Sequence, residues 1–323
     1  MCTMSYPKKD QTVPASLRSR SDLVSHFFFT SKPYSYVCNA ARGLIVCGAL
    51  GLGRDVWSLV EASVCSLLLW LFFNWYSDYR QRDVGRIVPS IWLVIAPVAA
   101  ALLICVPKGG GAVLFLVIYV LAIMVYPLKA VVPYVGPFGP VLRGGTIFAH
   151  FLFVFALLGP VSTISRDVVL IVFTLSLVHV ARNLVGDIRD IREDKIEFPV
   201  RYGLRAALWA LRLLFAISVV LSIFISKGIV TIGIPVLIQW IVIESLAAKC
   251  RAGNEHIVGY VGHRCFIITF TFCELLIAYA LGVSGVLCGT LAFLALLLQV
   301  TYGLLPGKRF PKRIEILKAI SAK

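Results

Sequence analysis

"DVVLIVFTLSLVHVARNLVGDIRDIREDK", residues 167–195, decides how this chain folds. Its first half is apolar enough to lie in hydrocarbon, where a core about 30 Å thick takes about 20 residues of helix. Within residues 183–195 there then follow Asp187, Asp190, Glu193 and Asp194, with Arg189, Arg192 and Lys195 among them. Ionised groups beside a bilayer are costly unless something binds them. Asn183, Asp187, Asp190 and Asp194 fall at i, i+4, i+7 and i+11, which on a continuous α-helix is one stripe. Like charges so close need cations. Hard oxygen ligands in this number suit Mg²⁺, which takes a couple of carboxylates, waters and a substrate phosphate. The plainer alternative is a solvated helix end whose aspartates pair with Arg189 and Lys195. Arg189 and Arg192 fall on a neighbouring face, to pair with phosphate oxygens or with the aspartates themselves.

The rest of the chain has the same character. Of 323 residues 59% are hydrophobic and only 15% charged, against about 45–50% and about 25% in soluble domains. With a mean hydropathy of +0.89, the chain reads as an all-α, polytopic membrane protein. The net charge of +15 is assigned to basic loops that orient helices against an anionic leaflet. No basic run is interleaved with aromatics as a nucleic-acid surface would be. The nine cysteines contain no CxxC pair and read as small buried hydrophobes.

Apolar runs predict ten candidate spans: 34–52, 57–77, 87–106, 110–128, 144–161, 167–187, 205–226, 229–248, 264–282 and 285–304. A polar basic tail, 1–33, precedes this membrane domain of 34–304, and a basic tail, 305–323, follows it. Lysines and arginines crowd the two tails and the even-numbered connections. The odd ones carry at most about one each (Arg54, Lys108, Arg166, Lys227). That alternation places both termini and the even connections on the cytoplasmic side.

Two even connections repeat a theme. "NWYSDYRQRD", residues 74–83, places Asn74 and Asp78 at the same i, i+4 spacing as Asn183 and Asp187, a hint of internal duplication. Between the two motifs, "YPLKAVVPYVGPFGPVLRGG", residues 126–145, brings Lys129 and Arg143 to the same membrane face through a turn set by proline and glycine. Two acidic clusters with a lysine and arginines suit a metal-bridged polyanion. Inside a membrane the natural candidate is a prenyl diphosphate.

These residues resemble the UbiA superfamily of intramembrane prenyltransferases over roughly residues 32–210. "NWYSD" followed by "RIVPS" (86–90), "YPLK", "DIRDIREDK" and "FPVRYG" stand, in order and spacing, where that family carries its motifs. The resemblance implies nine to ten helices in two four-helix halves around a central cavity that opens toward lipid. It implies Mg²⁺-dependent ionisation of a polyprenyl diphosphate, release of pyrophosphate and capture of the prenyl group by a lipid-soluble or amphiphilic acceptor. Asp187, Asp190 and Asp194 would bind metal, with Asn74 and Asp78 opposite. Arg82, Lys129, Arg143, Arg182 and Arg189 would hold the diphosphate.

The first motif departs from the family pattern. Trp75 stands where an aspartate is expected, and Arg82 reverses the sign at another, with Asp83 displaced by one. Either Arg82 replaces a metal by direct contact with phosphate, or Asp83 swings in, or catalysis has been lost. A terpene cyclase and a degenerate isoprenoid-binding homologue are the alternatives to a transferase. Arg42, Arg212, Glu244 and Glu274 also lie in apolar runs: Arg42 lines the cavity with Asn39, snorkels or joins an interhelical pair, and the two glutamates pair with basic groups that the sequence does not specify. Phe72, Phe73, Trp75, Tyr76, Tyr79 and Tyr126 read as an interfacial belt or as a lining for a carbocation.

Overall fold

The computed structural model describes residues 35–81, 91–130, 132–160, 164–191, 196–248 and 255–304. Among them every regular element is a helix. Ten α-helices follow one another: α1 Tyr36–Ala49, α2 Val56–Gln81, α3 Ile91–Cys105, α4 Gly110–Val125, α5 Gly139–Leu158, α6 Arg166–Arg189, α7 Phe198–Ile223, α8 Ile234–Ala248, α9 Glu255–Ala280 and α10 Gly285–Leu304. With the short turns that adjoin them, α2 through α9 are eight helices long and apolar enough to cross a membrane. Helix α1 has 14 residues and is shorter, about 21 Å at 1.5 Å per residue. The apolar part of α10, Gly285–Val300, is also short. Both predicted tails lie outside the described residues.

The helix starts follow local chemistry. At α2, Asp55 accepts from the Ser58 N–H at 3.1 Å and the Ser58 hydroxyl at 2.5 Å, a side-chain N-cap. At α6 the Ser165 hydroxyl accepts from the Val168 N–H. Helix α7 opens with Pro199 in its first turn and breaks at Gly203, whose φ of 84° only glycine adopts readily. This explains why the predicted span began at 205. Helix α9 begins nine residues before its predicted span at 264, because its first turns carry Glu255, His256, Tyr260 and His263. Apolar periodicity has no hold on a helix that projects beyond hydrocarbon.

The Asp55 cap carries a pH signature. The Ser58 hydroxyl, and then its N–H, hold the Asp55 carboxyl below the usual carboxylate range. A depressed folded pKa contributes stability above the unfolded pKa, and that contribution is lost as pH falls through the folded value. Asp55→Ala is therefore expected to melt below the parent protein at neutral pH. The difference should close at strongly acidic pH. A melting gap that does not narrow on acidification contradicts the cap.

Burial sorts the helices. Twelve of the fourteen residues of α1 are buried, and α5, α6 and α9 are more than half buried, whereas less than a third of α3, α4 and α7 is buried. Each helix packs on its sequence neighbours, and α9 closes the bundle by packing on both α1 and α6. The α6–α9 contact is a backbone approach. A Cβ at Gly259 would collide with the Arg189 backbone nitrogen, so only glycine lets α9 meet the last turn of α6 so closely. Phe151, Phe153, Phe155, Phe215, Phe266 and Phe270 fill the interior. Of the cysteines described, six are buried and none is bridged, as expected of small hydrophobes.

Candidate functional site

Lys129 is the hub of the polar end of the bundle. It sits in the 3-10 turn Tyr126–Ala130 that follows α4. Its buried ammonium lies 3.1 Å from Asp187 Oδ1 and 2.7 Å from Glu197 Oε1. Asp187 comes from the last turn of α6. Glu197 is the residue before α7 and makes no side-chain cap to that helix. Its backbone carbonyl accepts from Val200 and Arg201, while its carboxylate goes to Lys129. Asn183 donates to Asp187 Oδ1 at 3.1 Å and accepts the Tyr126 hydroxyl at 2.7 Å. The second Asp187 oxygen, Oδ2, is buried with no hydrogen bond. Two buried carboxylates stand against one ammonium, an arrangement that a dry interior tolerates poorly with both ionised.

Arg143, in the second turn of α5, lies on the other side of Tyr126. Its guanidinium sits 4.3 Å from the Phe73 ring, 5.0 Å from Trp70 and 5.8 Å from Tyr126. Lys129 Nζ is 5.3 Å from that same Tyr126 ring. Among the described residues no carboxylate pairs with Arg143 or with half-buried Arg182, and the two lie close enough to repel. Trp70 and Phe73 stack at 5.0 Å, and Phe73 meets Tyr126 at 5.3 Å. Trp70, Phe73 and Tyr126 thus surround the Arg143 guanidinium.

The structure thus brings together Lys129, Asp187 and, across one ring, Arg143. Other predicted residues stand apart. Asn74 is buried in α2 and donates to the Trp70 carbonyl of its own helix at 3.0 Å. The predicted stripe does not run its full length, since α6 ends at Arg189 and Asp190 is its C-cap. Asp190 is instead held by its neighbour, with Arg189 Nε to Oδ1 at 2.7 Å and Nη2 to Oδ2 at 2.5 Å. Arg189 Nη1 also faces His263 Nδ1 of α9 at 3.3 Å. The side chain of Asp78, all of Arg82 and Asp83, and Asp194 lie outside the described residues.

Two features escaped the sequence. Nothing in the sequence singles out Glu197, and only its contact with Lys129 reveals it. Deeper in the bundle, Arg42 donates to Glu274 Oε1 at 2.9 Å, to Asn39 Oδ1 at 2.7 Å and to Cys38 Sγ at 3.0 Å. Cys38 Sγ is 2.8 Å from Glu274 Oε2, and His179 Nε2 is 3.0 Å from Glu274 Oε1. All of these side chains are buried. The Cys38, His179 and Glu274 donor atoms lie within 4.8 Å of one another. Yet the Arg42 guanidinium already reaches all three, Nη2 lying 3.2 Å from His179 Nε2. It supplies the positive charge that a metal would bring. The i, i+3 spacing of Asn39 and Arg42 was legible, and the two do meet; the partners from α6 and α9 were not.

The other unassigned pair is also resolved. Arg212 of α7 makes a two-pronged pair with Glu244 of α8, at 2.7 Å and 2.8 Å. It lines a cleft of about 450 Å³ between those helices. A second cleft, of about 130 Å³, lies by Ile171, Lys227 and Ile277. Neither adjoins Asp187. No family model, curated protein or solved structure matches the chain.

Proposed function

We propose that this chain is an intramembrane prenyltransferase of the UbiA kind, passing a prenyl group from a polyprenyl diphosphate to a lipid-soluble or amphiphilic acceptor. The observation that supports this most is the convergence of Lys129, Asp187 and the ring-caged Arg143 at one polar end of an apolar bundle. In this reading Lys129 and Arg143 hold phosphate oxygens, Arg143 in the forked geometry that suits them. Trp70, Phe73 and Tyr126 keep water from the breaking allylic C–O bond, whose electron pair leaves with pyrophosphate. The acceptor then bonds to the allylic carbon and loses its proton.

Asp187 fits a divalent cation, since it offers a buried oxygen with no hydrogen bond and stands beside a second carboxylate, Glu197, on the same ammonium. Asp190, Asp78 and Asp194 are the further candidate ligands by sequence. Mg²⁺, when bound there, supplies charge neutralisation on the leaving phosphate. On the same reading α1 and α10 complete a ten-span bundle in two related halves, with both tails and the site on the cytoplasmic side.

A second reading, binding of an isoprenoid diphosphate without turnover, is favoured by the two-pronged Arg189–Asp190 contact, which covers both oxygens of a proposed metal ligand. One experiment separates the readings. Purified protein is incubated with Mg²⁺ and a series of prenyl diphosphates, and pyrophosphate and extracted lipids are measured. A transferase releases pyrophosphate only with an acceptor present, and a cyclase without one. Donor binding with no pyrophosphate under any condition would leave the binding-only reading and remove the transferase.

A further inference from the structure

The α7–α8 cleft faces away from the rest of the bundle. Trp209 is 62% exposed and Ile241 65%, and such side chains on a membrane-spanning pair meet lipid. Leu204 and Arg205 at one wall stand level with Ala247 and Ala248, the last residues of α8. The cleft therefore opens near one end of the hairpin, on the side where α7 begins after Glu197. The small alanines leave room there, and tryptophan at that level is a customary interfacial anchor.

Its charges are unequal. Arg205, Leu208, Trp209 and Arg212 share one face of α7 by their i, i+3, i+4, i+7 spacing. Arg212 spends Nε and Nη2 on Glu244 and lies 4.8 Å from the Trp209 ring. Glu244 also takes the Trp240 indole N–H at 3.2 Å, so its carboxylate is engaged. Arg212 keeps the donors of Nη1, and Arg205 has no carboxylate partner among the described residues. The cleft carries a net positive charge against apolar walls.

We propose that this cleft is a binding site for the phosphate of a membrane glycerophospholipid. Arg205 and Arg212 Nη1 take the phosphate oxygens, and an acyl chain runs along Leu208 and Ile241. The apolar, outward-facing walls are what select a lipid over free phosphate. The site does not depend on the proposed transferase activity.

Native mass spectrometry of the full chain, released from detergent with added phosphatidylglycerol, tests it. The parent protein is expected to retain one lipid per chain. Arg205→Gln, an exposed position whose change leaves the Arg212–Glu244 pair intact, should weaken retention at least tenfold with an unchanged melting temperature. Millimolar inorganic phosphate should not displace the lipid. Equal retention by parent and Arg205→Gln overturns the proposal, as does displacement by phosphate. Capture of a second copy of the chain on this face, lost in Trp209→Ser, would also overturn it.

Discussion

Glu274→Ala is expected to destabilise the protein by about 3–5 kcal/mol, the usual cost of removing one partner from a buried ion pair. Glu274 receives Arg42, Cys38 and His179 at once, from α1 and α6. Its loss strands the buried Arg42 guanidinium without its counter-charge. It also unties α9 from both helices that it holds. The charge, more than the lost contacts, dominates this cost. Arg42→Leu combined with Glu274→Leu, which removes both charges and keeps apolar volume, should therefore recover most of the stability. Thermal melting of the detergent-purified variants checks both statements. If Glu274→Ala melts with the parent, or the double variant is worse than the single, the cluster does not act as a charge lock.

Lys129→Met should abolish turnover under the proposed function, lowering pyrophosphate release by about 10²–10³-fold, as loss of a positioned donor to a developing anion typically does. It also leaves Asp187 and Glu197 facing each other with no counter-charge, so the single variant will lose stability as well. Adding Glu197→Gln removes one of the opposed carboxylates. Lys129→Met with Glu197→Gln is expected to regain the melting temperature while remaining inactive. Recovery of turnover together with stability in that double variant would show Lys129 to be a structural counter-ion only. Asp187→Ala should likewise lose Mg²⁺-dependent release, and full activity in that variant would remove the site assignment.

The acidic end of α6 shows where reading from sequence stops. The i, i+4, i+7, i+11 spacing was a sound inference for a continuous helix, and it holds for Asn183 and Asp187. It fails at Asp190 because the helix ends one residue earlier. There the side chain finds Arg189 beside it, so a local ion pair replaces the predicted stripe. Tyr126 was legible as an aromatic near the motifs. That its ring separates Lys129 from Arg143 depends on how the turn 126–130 packs against α2 and α5.

The sequence by itself determined the all-helical character of the described residues and the eight helices long and apolar enough to cross a membrane, with many of their ends. Hydropathy, glycine and proline punctuation and capping residues all act within a turn or two of helix. Tertiary structure alone decided which charges meet. Arg42 and Glu274 are 232 residues apart, and Lys129 and Asp187 are 58. Each helix presents several faces of similar hydropathy, so its own pattern does not choose its neighbour. The choice is made where backbones can approach, as at Gly259 against Arg189. It is also made where a buried charge finds a partner across the bundle, because in a dry interior leaving it unpaired costs more than any local preference supplies.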